Sequence, residues 1–257
     1  MGRGRRTSRR STSRRGGSSS GRGKLIVAVA TVAVVGVALL FGVVSLDDLL
    51  GGSPASDTSN STFTGRAVPA TADPSEASEA LATLPVRDAG SMAGYSRESF
   101  PHWSDALENG WEVPSESCDT RDAALIRDGE NVVVGDSCSI TSGTWVDPYA
   151  GETNTDSSDV DIDHIVPLAN AWRSGADNWD EAERERFANA PDNLLASDAG
   201  ENRSKGDRGP EAWRPPDESA WCDYAVRWTL VKDEYALSIN PDERSALEEM
   251  LGTCEAA

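Results

Sequence analysis

The chain contains two histidines, and one of them sits in a setting that suggests chemistry. His164 lies in Asp161-Ile162-Asp163-His164-Ile165-Val166-Pro167-Leu168. Downstream come Asp192-Asn193-Leu194 and Glu201-Asn202-Arg203-Ser204-Lys205-Gly206-Asp207. Hydrolysis of a phosphodiester needs a base for water, a cation to meet developing charge, and geometry for in-line attack. A neutral imidazole is a base near pH 7. Asp163 offers a hard oxygen for a cation, and Asn202 a neutral amide oxygen. On a short helix, Lys205 shares a face with Asn202, where it would meet a phosphate beside the cation. Each residue also has an ordinary reading: Asp163-His164 as a surface polar pair, Asn193 as a turn former, Lys205 as a solvated base and Asp161 as a strand-edge charge.

Short elements are expected around these residues. Val160–Val166 alternates as a strand that Pro167 ends, and Pro167 also suits the first turn of a helix running to Arg173. Asn193–Ser197 reads as a second strand and Asp198–Lys205 as a short helix closed by Gly206. Between them, Trp179–Ala190 reads as a helix capped by Asn178, with Glu181 three residues on. Ala123–Arg127 and Asn131–Val134 flank Asp128-Gly129, the signature of a hairpin turn. In Ser219–Leu237, apolar residues recur at three- and four-residue steps, and Pro241–Leu251 follows an Asn-Pro start, so the tail is helical. Trp213, Trp221 and Trp228 belong to a core face rather than a base-stacking platform. Residues 81–112 form an irregular packed entry.

The chain divides by composition. Residues 1–24 hold nine Lys or Arg and no acid, which predicts a disordered cytoplasmic tail. Residues 25–46 are uncharged, and a helix of that length spans about 33 Å, enough for a bilayer. A basic flank stays inside, so the rest lies outside the membrane. A cleaved signal peptide is the rival, with Ser53-Pro54-Ala55 as a passable site, which would make the protein secreted. Residues 47–80 read as a flexible linker, leaving 81–257 as one domain. Beyond residue 24, 15 bases face 43 acids, a balance of −28 that repels nucleic acid at long range. Cys118, Cys138, Cys222 and Cys254 fit no zinc spacing. On the outer side they suggest two disulfides, and proximity favours Cys118–Cys138 and Cys222–Cys254.

The motif DIDHIVPL…DNLLAS…ENRSKGD resembles that of HNH nucleases, including the HNH domain of RNA-guided effector nucleases. It is especially similar to the C-terminal domain of GmrSD-type restriction endonucleases and to small exported actinobacterial HNH proteins. The likeness extends to GYSRESFPHW at 94–103, CDTR at 118–121, GTWVDPYAGE at 143–152, AWRSGADNW at 171–179, and WRPP with CDYAVRW. It implies an α+β fold with a ββα-metal (HNH, His-Me finger) core, a small β-hairpin and C-terminal helices. By the same resemblance His164 is the general base, Asp163 and Asn202 are metal ligands, and Asn193 fixes the loop that orients the imidazole. Arg203 and Lys205 are phosphate contacts, and Asp161 helps hold the hydration shell of the metal. Asn202 replaces the second histidine of many HNH members, and an all-oxygen site favours Mg²⁺. Arg121 and Tyr149 are candidate substrate contacts with structural roles as the alternative. His102 is a packing histidine with a place near the site as the alternative.

These readings predict a monomeric, metal-dependent HNH endonuclease acting on DNA or RNA, with DNA favoured, outside the cytoplasm. The alternatives are an inactive nuclease-like surface module that binds nucleic acid or a protein, and an acidic surface protein that binds cations or wall polymers.

Overall fold

The structure is a computed structural model that describes residues 61–63 and 73–256. The predicted basic tail and membrane segment lie outside the described residues. Among the described residues no helix is long and apolar enough to cross a membrane.

Helix α1 (Pro74–Thr83) starts where Asp73 accepts the Ser75 N–H at 2.8 Å, with proline at the first helical position. Ala77 and Leu81 are buried. The packed domain therefore begins ahead of residue 81, inside the stretch expected to be linker. The residues expected to open a hairpin are instead helical. In α2 (Thr120–Asp128), Asp119 and Asp122 form a reciprocal capping box, and Ala123 to Ile126 are all buried. Asp128-Gly129 ends this helix rather than turning a hairpin. Gly129 is required there, because a Cβ would lie 2.5 Å from Val132 Cγ2 and 2.6 Å from Trp145 Nε1.

Strands β1 (Ser61–Phe63), β2 (Glu130–Val134), β3 (Ile140–Val146) and β4 (Thr153–Asn154) form an antiparallel sheet in that order. A hairpin does form one element later, between β2 and β3. The disulfide Cys118–Cys138 ties its connection to the segment before α2, with Cα atoms 5.1 Å apart.

A second, two-stranded sheet pairs β5 (Val160–His164) with β6 (Leu194–Asp198), in the register Asp163↔Leu195 and His164↔Leu194. Helix α3 (Leu168–Arg173) and helix α4 (Glu181–Ala188) lie between these strands in sequence. The cap of α4 is Asp180, boxed with Glu183, and not Asn178, because residues 176–178 form a separate tight turn. Helix α5 (Ala199–Lys205) follows β6 directly. Asp198 caps it by accepting the N–H groups of Gly200 and Glu201, and Gly206 closes it at φ +59°.

Helix α6 (Trp221–Glu234) and helix α7 (Pro241–Leu251) end the domain, tied by Cys222–Cys254. Asn240 caps α7 in a box with Glu243, and Pro241 occupies the first helical position.

Alternation along the two-stranded sheet places it between two cores. Val160, Ile162, Leu194 and Ala196 join a cluster with Trp111 and Trp145. Leu195 and Ile165 join the larger one, with Trp172, Trp213 and Trp228. The chain is thus a mixed α+β protein with small antiparallel sheets.

Candidate active site

The end of β5 opens onto a cavity of about 350 Å³ whose lining includes Asp163, His164 and Asn202, together with Tyr95, Arg97 and Arg203. Asp163 and His164 are neighbours on one strand, so their side chains leave opposite faces of the two-stranded sheet. Both residues nevertheless line the cavity at that strand end.

The His164 ring is 5% exposed. Its Nε2 lies 2.9 Å from the carbonyl of Ala188, the last residue of α4. A carbonyl only accepts, so Nε2 carries the proton and Nδ1 keeps its lone pair. Burial pulls the imidazole pKa down to about 3, partly offset by the Ala188 bond, with Arg97 and His102 lowering it further. The ring is therefore neutral at pH 7. The Trp103 ring lies 6.0 Å from it at an interplanar angle of 31°. Trp103 adopts φ +63°, a strained conformation for a bulky residue. Asn189 holds it there, accepting the Ser104 N–H at 3.1 Å and donating to Pro101 O at 2.9 Å. Consecutive residues at the end of α4 thus orient His164 and fix the aromatic beside it.

Asn193 is completely buried. Its Oδ1 accepts the Val166 N–H at 2.9 Å, its Nδ2 donates to Val166 O at 3.3 Å, and its own carbonyl accepts the Ile165 N–H at 2.8 Å. It therefore sets the path of the chain leaving His164.

Asp163 is 3% exposed. Its Oδ2 accepts the Tyr149 hydroxyl at 2.6 Å, and the Lys205 ammonium lies 2.9 Å from Oδ1 and 2.8 Å from Oδ2. Burial pushes the carboxyl up, against the charge and hydrogen bond of Lys205. Burial pushes the Lys205 ammonium down, against Asp163. Burial also raises the Tyr149 phenol well above its usual value, and Asp163 adds to that.

The structure differs from the sequence reading at two basic residues. Lys205 is fully buried and gives its donors to Asp163 and to the carbonyl of His164 at 2.8 Å, so it does not face a phosphate. One turn of α5 separates it from Asn202, but it points into the protein. Arg121 lies on α2, 3.5 Å from Val160 O, at the far end of β5, about 13 Å along the strand from His164. It is absent from the cavity wall.

Asn202 is partly exposed on the cavity wall. Among the described residues no hydrogen bond uses its side chain. Arg203 is 71% exposed and sits 3.9 Å from Asp161. The His102 Nδ1 lies 2.8 Å from Phe100 O, and its ring packs edge-on against Trp103. His102 thus packs directly on the aromatic neighbour of His164.

Sequence reasoning missed Arg97 and Tyr95. They reach the cavity from the entry segment, through a tight turn at Arg97–Ser99. No periodicity links them to His164, and the only sequence sign was the GYSRESFPHW stretch that contains them. Arg97 has no ion-pair partner among the described residues. Asp207, also on the wall, pairs with Arg173 at 2.8 Å. Positive charge therefore faces the cavity although the chain as a whole is acidic.

For a cation, the wall carries the carboxylates of Asp163 and Asp207, paired with Lys205 and Arg173, and the amide of Asn202. Among the described residues no cluster of three or more His, Cys, Asp or Glu side chains is placed to hold a metal. Such a sparse oxygen-only set fits a hard divalent ion that keeps most of its own water.

A family model for the C-terminal domain of GmrSD restriction endonucleases matches residues 119–248. The chain is also similar to a protein of Arthroderma benhamiae described as an uncharacterized secreted protein. The two are 49% identical over 182 residues, which is 70% of this chain and 85% of that one. No solved structure matches.

Proposed function

The chain belongs to the family of GmrSD restriction endonuclease C-terminal domains, and on that premise we propose that it is a metal-dependent HNH endonuclease cleaving phosphodiester bonds, DNA foremost, outside the cytoplasm. The observation that carries this reading is that Asp163, His164 and Asn202 line one cavity, the first two at the end of β5 and the third on α5, within a unit whose elements run β5–β6–α5. In this reading that unit is the ββα-metal core.

His164 is the general base. Its Nδ1 takes the proton of the attacking water, while the Ala188 carbonyl holds Nε2–H and stabilises the ring as it gains charge. An anionic phosphate beside the ring raises its pKa toward the working range. Asp163 and Asn202 hold a divalent cation, Mg²⁺ by their oxygen chemistry. When bound, that ion supplies Lewis acidity and charge stabilisation at the phosphate. Arg203 and Arg97 orient the phosphate. Asn193 acts by position alone, through the backbone of Val166.

Two disulfides and a relative described as secreted support an oxidising, extracellular setting. Residues 25–46 serve as a membrane anchor in this reading, with the domain outside. The full chain, kept soluble in detergent, should nick supercoiled plasmid with Mg²⁺ present. EDTA and His164→Ala should each abolish nicking, and persistence in either case refutes the proposal. The balance of −28 beyond residue 24 favours a second reading, a surface module that binds without cutting. DNA retention with no cleavage in Mg²⁺, Mn²⁺ or Ca²⁺ is its signature.

A further inference from the structure

The proposed chemistry gives no role to the cation buried beside Asp163. Lys205 is fully buried and its ammonium has three donors. It donates to Asp163 Oδ1 at 2.9 Å and to His164 O at 2.8 Å, and lies 2.8 Å from Asp163 Oδ2 as an ion pair. Tyr149 adds a 2.6 Å bond to Oδ2. A carboxylate has about four lone-pair sites, so about half the capacity of Asp163 is already taken by protein donors, and its charge is met by the Lys205 ammonium. Asp163 also lines the cavity.

The charges around that opening follow. Asp163 is compensated from behind by Lys205. Asn202 is neutral. Arg97 and Arg203 line the same wall, and the acid nearest Arg203 is Asp161 at 3.9 Å. A divalent cation entering alone meets no net negative charge from the protein. A phosphodiester between the two arginines supplies the missing charge.

We propose that Lys205 is a positioning residue and built-in counter-ion for Asp163, making uptake of the divalent cation conditional on a phosphate in the same cavity. This rests on the reading of Asp163 and Asn202 as cation ligands. Tyr149 and Lys205 hold the carboxylate in one orientation, and the bond from Lys205 to His164 O ties the end of α5 to the end of β5. The coupling is reciprocal: the factor by which phosphate tightens the cation is the factor by which the cation tightens phosphate.

The test is Mn²⁺ binding to the full chain in detergent, read from the electron paramagnetic resonance of the free ion. It is run with and without a cleavage-resistant phosphorothioate oligodeoxynucleotide, whose own uptake is subtracted. The wild type should bind Mn²⁺ weakly alone and at least tenfold more tightly with the oligonucleotide. Lys205→Met removes the charge and keeps the stem. It should bind Mn²⁺ alone at least tenfold more tightly than the wild type does. A merely structural lysine predicts the opposite direction, so unchanged or weaker binding overturns the inference. If K205M does not fold, the wild type decides: equal affinity with and without oligonucleotide overturns it. Asp163→Asn separates the two levels. Mn²⁺ binding that survives D163N removes Asp163 as a ligand and with it the proposed function. Binding lost in D163N but indifferent to K205M leaves that function and removes only the counter-ion.

Discussion

Acidification from pH 7.5 to 5.0 should weaken the fold, with His164 as an identifiable source. Its ring is buried and neutral, with a pKa pulled from 6.5 to about 3, whereas in the unfolded chain the ring regains its ordinary value. Between those two values the unfolded state binds the extra proton, so stability rises with pH in that window. The contribution is complete above about pH 6.5 and is lost as pH falls toward the folded value. Linkage puts the loss between pH 7.5 and 5.0 at about 2 kcal/mol for this one group. With a urea m-value of roughly 2 kcal/mol/M, that shifts the midpoint by about 1 M. Urea unfolding of the full chain, disulfides intact, measures it. Other groups also titrate near the lower end, so the comparison is with His164→Gln, which removes the ring and leaves them in place. The variant should lose about 2 kcal/mol less over the same interval. Parallel midpoints for the two proteins across the interval would refute the view that burial holds His164 neutral.

Two further outcomes follow from other contacts. Lys232 is fully buried, with Asn170 Oδ1 and Ser174 Oγ each 2.7 Å away, Ser238 O at 3.0 Å and Glu243 Oε1 at 3.1 Å. Lys232→Met should cost about 3–5 kcal/mol by stranding the Glu243 carboxylate, and adding Glu243→Gln should recover part of it in the same urea titration. Arg97→Ala should raise KM for an oligonucleotide about three- to tenfold with kcat little changed, and lower the slope of log affinity against log salt by about 1. An unchanged slope would take Arg97 off the phosphate.

Much of this protein is legible in order along the chain. The strand ending at His164, the strand after Asn193 and the helix from Asp198 to Gly206 carry local signals: alternation, a cap and a terminating glycine. Both disulfides follow from proximity. The α7 start follows from Asn240-Pro241. Where local signals compete, the reading fails. Asp128-Gly129 has the composition of a hairpin turn, yet the Asp119–Asp122 box and a run of four buried residues make the preceding segment a helix. Asp73-Pro74 starts a helix inside a stretch whose composition is that of a linker, because Ala77 and Leu81 find a core that composition does not reveal.

At the candidate site, residue types and order single out His164, Asp163, Asn193 and Asn202, because an imidazole, a carboxylate and a polar helix follow each other closely. Their environments belong to the tertiary structure. Sequence shows Lys205 one turn from Asn202, and only the packing of α5 against β5 turns its ammonium inward to Asp163. Arg97 and Tyr149 come from distant segments, and a side chain's partner across such a separation is decided by how the layers stack. The same stacking buries the His164 ring against Ala188 and Trp103. Burial and neighbouring charge govern its proton affinity, and neither is written in the order of residues.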